Sequence, residues 1–115
     1  MLKKIIGMFK SEGPYSNLQP DLFAERIRSD SKAVVLDVRT SAEYKSGKIA
    51  KSVLIDFMRG DFISEIQKLD KNKNFYVYCR SGARSAEACR KMHSSGFKQL
   101  YNLSGGIMSY KGDII

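Results

Sequence analysis

The stretch YVYCRSGARSAEA, residues 76–88, says most about the fold. It contains, in order, an apolar strand-like run, one cysteine, a polar loop and a helix-like segment. The six residues after Cys79 include two arginines, a glycine and two serines, which supply positive charge and hydrogen-bond donors. A cysteine that only packs would be expected among apolar neighbours. Positive charge and a following helix N-terminus both favour thiolate over thiol. We therefore predict that Cys79 is a reactive thiolate in an anion-binding loop.

Short apolar runs alternate with helix-like segments on both sides of this stretch. The apolar runs are mostly non-alternating, which is typical of strands buried on both faces. Strands are predicted at 33–38, 52–56, 75–79 and 99–103. Helices are predicted at 20–29, 40–46, 61–69 and 83–95. This alternation predicts an α/β fold with an open, mainly parallel sheet, flanked by helices on both faces, whose site lies at the carboxyl ends of its strands.

Single residues mark the ends of several predicted helices. Pro20 suits a first helical turn, where its missing N–H group is not needed. Thr40 and Glu43 have the spacing of a capping box. Gly96 follows the fourth helical segment and is predicted to cap it in the left-handed conformation. These signals support the helical assignment of the segments between the strands.

The composition is that of one globular domain with an uneven basic charge. The chain has 115 residues, 43% of them hydrophobic, and a formal net charge of +8. Residues 71–100 contain seven lysines and arginines against one glutamate, a local net charge of +6. Such a field attracts small anions and favours a thiolate. A nucleic-acid surface is the competing interpretation, but no nucleic-acid-binding motif is visible, so no nucleic-acid partner is expected.

The cysteines and the N-terminus give no sign of secretion. The two cysteines lie ten residues apart without a CxxC motif, and the chain has one histidine, so neither a disulfide framework nor a metal site is predicted. Residues 1–14 are interpreted as an N-terminal extension, docked or frayed, with a membrane-surface or partner contact as the alternative. Their apolar part is too short for a signal peptide or a transmembrane segment. A cytoplasmic location is expected.

Three stretches together resemble the rhodanese-like sulfurtransferase domain of the small, single-domain kind. They are VVLDVRTSAEYKSGKI (34–49), YVYCRSGARSAEACRKMHSSGF (76–97) and LYNLSGGIMSYK (100–111). The resemblance covers roughly residues 15–112 and implies a rhodanese-like domain at 15–115 with a five-stranded sheet. Lys48 stands where the family usually has histidine, and Met108 or Tyr110 stands near a common tryptophan. These departures are expected to affect donor or acceptor preference rather than the sulfur chemistry.

The resemblance implies thiosulfate sulfurtransferase activity through a persulfide on Cys79. A small anionic sulfur donor would pass its outer sulfur to the thiolate, and cyanide, a thiol or a cysteine of a relay protein would then accept it. No cofactor and no metal are implied, and a monomer is expected. The expected substrate-binding residues form the loop after the nucleophile: Arg80, Ser81, Gly82, Ala83, Arg84 and Ser85. One of the two arginines could instead pair with a carboxylate and shape the loop.

Other reactive residue types are assigned supporting or packing roles. Asp37, Arg39 and Glu43 are expected to pair and cap near the site, as structural support rather than as proton carriers. Cys89 is predicted to lie on the core face of its helix, with a resolving cysteine as the minor alternative. His93, near the far end of that helix, is given no catalytic role.

Two other classes of function remain open at this point. Thiolate phosphatases and arsenate reductases also place a cysteine in an anion-binding loop, but five residues separate their cysteine from the arginine. Here four residues separate Cys79 from Arg84. A sulfur-relay or non-catalytic binding partner is the second alternative, and a relay would need the same cysteine.

Overall fold

The computed structural model describes residues 13–115 and contains the strands β1 (Ser16–Leu18), β2 (Ala33–Asp37), β3 (Val53–Leu54), β4 (Asn74–Tyr78) and β5 (Leu100–Leu103). These five strands form one parallel sheet in the order β1-β5-β4-β2-β3. The helices are α1 (Pro20–Ser29), α2 (Ser41–Ser46), α3 (Phe62–Ile66) and α4 (Ala83–Ser94), and a 3-10 turn spans Ile107–Ser109. The predicted α/β class with a five-stranded, parallel sheet is confirmed.

Helices cover both faces of the sheet, as predicted. Along β4, Phe75 and Val77 face a cluster completed by α3 and α4, whereas Tyr76 and Tyr78 face a cluster completed by α1. All four side chains are at most 2% exposed. Burying one such side chain contributes roughly 1.5 to 3 kcal/mol, so the two clusters fix the central strands firmly.

The register of the central strands brings two loops together at the carboxyl edge of the sheet. Asp37, the last residue of β2, lies opposite Tyr78, the last residue of β4. The ladder continues one step further, because the N–H of Val38 donates to the carbonyl of Tyr78 at 3.0 Å. The loop that enters α2 and the loop that follows Cys79 therefore leave the sheet side by side.

Three elements differ from their predicted extent. β1 was not among the predicted strands, because its polar sequence SNL has no apolar run to reveal it. The run at 52–56 forms regular pairs only over two residues, since β3 is an edge strand that pairs with β2 alone. The predicted helix at 61–69 is α3 followed by a tighter turn, in which Lys68 and Leu69 bond three residues back.

The predicted helix signals are confirmed. Pro20 lies in the first turn of α1. The capping box of α2 is complete, with the hydroxyl of Thr40 accepting from the N–H of Glu43 at 3.2 Å and the carboxylate of Glu43 accepting from the N–H of Thr40 at 3.1 Å. Gly96 follows α4 with φ of +99°. Local signals therefore set these helix ends.

Most of the predicted N-terminal extension, residues 1–14, lies outside the described residues, and its conformation stays a prediction. Tyr15, the predicted start of the domain, immediately precedes β1. Between residues 13 and 115, no helix has the length and apolar character needed to cross a membrane.

Candidate active site

Cys79 lies at the carboxyl edge of the sheet, directly after β4. Its side chain packs in the cluster on the α3 and α4 face, and the residue is only 1% exposed. Its carbonyl accepts a hydrogen bond from the N–H of Ile107 at 2.9 Å. The sulfur is therefore held at a fixed place and meets the loop that follows it.

The loop after Cys79 turns its hydrogen-bond donors onto the sulfur. The N–H of Gly82 lies 3.1 Å from Sγ, and the N–H and hydroxyl of Ser85 lie 3.4 and 3.3 Å from it. Gly82 makes this turn possible with φ of +106°, a conformation that favours glycine. The first turn of α4 follows at once, so the sulfur faces a helix N-terminus as predicted.

These donors act on the pKa of the Cys79 thiol. Burial alone would raise the pKa of Cys79, but hydrogen bonds from the Ser85 hydroxyl and from the N–H groups of Ser85, Gly82 and Ser81 outweigh it. The pKa of Cys79 is therefore lowered. A lowered pKa means more thiolate at neutral pH, and the thiolate is the nucleophile.

Ser85→Ala is expected to shift alkylation of Cys79 to higher pH. The variant lacks the hydroxyl that favours the thiolate, so the pKa of Cys79 rises and less thiolate is present at neutral pH. The rate of reaction with iodoacetamide, measured against pH, reports the inflection. Ser94→Ala, on the exposed face of the same helix, is the control. If the inflection of the alkylation rate lies at the same pH in Ser85→Ala as in the unsubstituted protein, the role of the hydroxyl is contradicted.

The two loop arginines lie in different settings. The guanidinium of Arg84 makes a two-pronged ion pair with Glu43, with N–O distances of 2.8 and 3.0 Å. Arg80 is exposed, and no other side chain in the described part of the chain pairs with it. Both were predicted to bind the donor. In this structure Arg84 is the one that pairs with a carboxylate, and Arg80 faces solvent.

Asp37 and Arg39 form a buried network beside the loop that enters α2. The guanidinium of Arg39 lies 2.7 Å from the Asp37 carboxylate and also donates to the carbonyl of Gly47 at 2.7 Å. The hydroxyl of Tyr78 donates to the same carboxylate at 2.7 Å. Burial alone would lower the pKa of Arg39, but the hydrogen bond and charge of Asp37 raise it. The network ties the end of β2 to the segment after α2.

A sequence profile described as Rhodanese-like domain matches residues 19–113. The chain belongs to the rhodanese-like domain family. The candidate sulfurtransferase YtwF of Bacillus subtilis is 36% identical over 89 residues, which cover 77% of this chain and 84% of YtwF. The candidate sulfur carrier protein YrkF of the same organism is 33% identical over 92 residues, 80% of this chain and 49% of YrkF. A rhodanese-related protein from Thermoplasma volcanium is 29% identical with a TM-score of 0.70, covering 88% of this chain and 98% of that one.

The segment after β5 supports the loop of this rhodanese-like domain, a role that the sequence did not reveal. The N–H of Met108 donates to the carbonyl of Arg80 at 3.2 Å. Gly106 has φ of +67°, and a Cβ atom there would collide with the carbonyl of Arg80 and lie 2.6 Å from the nitrogen of Ser81. Only glycine fits so close to the loop. The glycine pair at 105–106 was the available signal.

Asn102 is a second residue whose role was missed. It lies in β5, 4% exposed, and its amide donates to the carbonyl of Gly82 at 3.3 Å and to the side chain of Asn17 at 3.0 Å. A polar residue inside the apolar run QLYNL was the sequence signal. The Asn102 amide therefore links β5 to the turn at Gly82, whose N–H donates to the sulfur of Cys79.

The donors of Gly82 and Ser85 form a cradle around the sulfur of Cys79, and the remaining candidate residues make no hydrogen bond to that sulfur. Cys89 is fully buried in the cluster of α3 and α4, and burial raises the pKa of its thiol. His93 is exposed in the last turn of α4. Lys48, at the usual histidine position, lies with its ammonium 4.5 Å from the centre of the Tyr44 ring. Within residues 13–115, no three histidine, cysteine or acidic side chains are placed to share a metal ion.

Proposed function

We propose that this rhodanese-like domain is a sulfurtransferase that moves a sulfane sulfur from thiosulfate or a related donor to a thiophilic acceptor. The observation that carries the proposal is the convergence of the Gly82 and Ser85 donors on the sulfur of Cys79. The sulfurtransferase named among the relatives is consistent with it. The proposed step uses no general base, because the donors lower the pKa of Cys79 and so favour its thiolate.

The first half of the reaction loads the enzyme. The thiolate of Cys79 attacks the outer sulfur of thiosulfate and forms a new S–S bond. The old S–S bond breaks, and sulfite leaves with the bonding electron pair. The product is a persulfide whose terminal sulfur is anionic at neutral pH.

The second half of the reaction unloads the enzyme. Cyanide or a thiolate attacks the terminal sulfur, the Cys–S–S bond breaks, and the electron pair returns to Sγ as the thiolate. The backbone donors of the loop favour negative charge in both states, as an oxyanion hole favours oxygen. The same cradle therefore serves the free thiolate and the persulfide.

The loop residues divide into two proposed roles. Backbone N–H groups from Ser81 to Ser85 hold the anionic sulfur, whereas the exposed guanidinium of Arg80 meets the negative charge of the donor. The side chains of Ser81 and Ala83 are exposed at the same loop and line the approach of donor and acceptor. Asp37 and Arg39 act as structural support beside this loop, because they hold the end of β2 to the segment after α2.

Mixing the protein with thiosulfate is expected to add the mass of one sulfur atom, located on Cys79 and removed by cyanide. Intact mass spectrometry and peptide mapping measure the gain, and Cys79→Ser is the control that gains nothing.

The same protein is expected not to hydrolyse aryl phosphates. The loop has one residue fewer than the phosphatase pattern, and Arg84 is held by Glu43. Absence of the sulfur adduct, or robust phosphate hydrolysis, would contradict the proposal.

A relay role is the second candidate, favoured by the similarity to the sulfur carrier protein YrkF. A relay would form the same persulfide but would pass the sulfur to a protein cysteine. A persulfide that forms with thiosulfate and then resists both cyanide and small thiols would favour the relay. Rapid unloading by cyanide would favour the enzyme.

A further inference from the structure

The ion pair between Arg84 and Glu43 joins two elements that are distant in the sequence. Arg84 lies in the first turn of α4, and Glu43 lies in the first turn of α2. The two side chains are 27% and 28% exposed, so each is largely removed from water. Both carboxylate oxygens are used, and this two-pronged geometry fixes the orientation as well as the distance.

Glu43 is itself held rigidly. One of its carboxylate oxygens accepts from both the N–H and the hydroxyl of Thr40, at 3.1 Å each. The hydrogen bonds from Arg84 are the main reason that the pKa of Glu43 falls to about 2. The carboxylate therefore stays charged at neutral pH, and Arg84 keeps a charged partner there.

The residue that Glu43 anchors is adjacent to the donors on the sulfur. Ser85 follows Arg84 directly and contributes two of the donors to Sγ, while Gly82 stands two residues before it. A shift of Arg84 would move this first turn of α4 against the sulfur. Hydrogen bonds weaken steeply with misalignment, so a small shift would weaken the cradle.

We propose that Glu43 is a positioning residue, which holds the first turn of α4 against Cys79 through Arg84 and so maintains the thiolate. The carboxylate of Glu43 makes no hydrogen bond to the sulfur, and its partners are Arg84 and Thr40. The role deepens the proposed sulfur transfer, but it concerns the reactivity of Cys79 itself. It can therefore be tested without sulfur transfer.

Glu43→Gln is the decisive variant. Glutamine also serves in a capping box, so the start of α2 is kept while the charge that anchors Arg84 is lost. The proposal expects the iodoacetamide rate at neutral pH to fall about fivefold and the inflection of its pH profile to move to higher pH. Circular dichroism and thermal unfolding verify that the variant is folded. Glu87→Gln is the matched control, because Glu87 pairs with Arg90 on the exposed face of α4.

Arg84→Lys is the second variant and keeps the charge without the two-pronged geometry. It is expected to change the alkylation profile in the same direction as Glu43→Gln, and it decides the matter if Glu43→Gln fails to fold. If the folded variants keep the alkylation pH profile of the unsubstituted protein, the proposal is overturned. That is the result expected if Glu43 only stabilises the fold. A move to lower pH in Glu43→Gln would also overturn it, because the released charge of Arg84 would then dominate. If the variants show these shifts but the unsubstituted protein forms no persulfide, the proposed function is refuted and the positioning role of Glu43 is not.

Discussion

Replacement of Cys79 by serine is expected to lower sulfur transfer from thiosulfate to cyanide by at least about a thousandfold, because the variant lacks the thiolate that we propose as the nucleophile. A serine hydroxyl is not ionised at neutral pH, and the N–H groups that favour a thiolate cannot ionise it. The fold should be retained, since serine is close to cysteine in size and keeps the donors of Gly82 and Ser85 within reach. Thiocyanate formation measures the activity, and thermal unfolding measures the fold.

Cys89→Ser is the matched control, because it makes the same substitution at the second cysteine. Cys89 is fully buried, and burial raises the pKa of its thiol, so it is a poor nucleophile. We expect this variant to keep most of the activity but to lose about 1 to 3 kcal/mol of stability, since a hydroxyl is placed in an apolar cluster. If activity survives in Cys79→Ser and disappears in Cys89→Ser, the sulfur chemistry belongs to Cys89, and its assignment to Cys79 is wrong.

Gly106→Ala is expected to destabilise the protein by about 2 to 4 kcal/mol and to cut sulfur transfer by more than about tenfold. The added Cβ would meet the carbonyl of Arg80 and the nitrogen of Ser81, both backbone atoms of the loop that follows Cys79. Backbone atoms cannot rotate away as a side chain does. The loop must therefore move, and the donors on the sulfur move with it.

Gly105→Ala separates this collision from backbone strain. Gly105 also has a positive φ, of +77°, but a Cβ there would meet only the side chain of Ser109. We expect a similar strain and a smaller loss of activity, because the loop beside Cys79 is not pushed. Chemical denaturation gives the two stabilities, and alkylation of Cys79 by iodoacetamide gives the two reactivities. Equal loss of reactivity in both variants would show that strain alone is responsible.

The sequence was sufficient for those parts of the fold and the site that depend on neighbouring residues. The apolar runs predicted the central strands, and Thr40 with Glu43 predicted the start of α2, because both signals are local. The strand, cysteine and loop at 76–88 likewise placed Cys79 at the end of β4 and before a helix. These predictions needed no knowledge of which segments meet in space.

The features that the sequence did not reveal depend on distant segments. Arg84 and Glu43 are 41 residues apart, and only the register of β2 beside β4 brings their helices together. Gly106 reaches the loop because β5 pairs with β4, and its φ and its neighbours follow from that pairing. β1 was missed for a related reason, because its polar sequence becomes a strand only through pairing with β5.

The cradle around Cys79 is made largely of backbone N–H groups, so those side chains of its loop that do not donate to the sulfur are free to vary in related proteins. Ser81 and Ala83 present exposed side chains, yet neither side chain is needed to hold the sulfur. Changes at these two positions could therefore alter which donors and acceptors approach without weakening the nucleophile. In the proposed mechanism the backbone donors would set the reactivity of Cys79, and the exposed side chains of the same loop would set its selectivity. Substitution could then change one property without loss of the other.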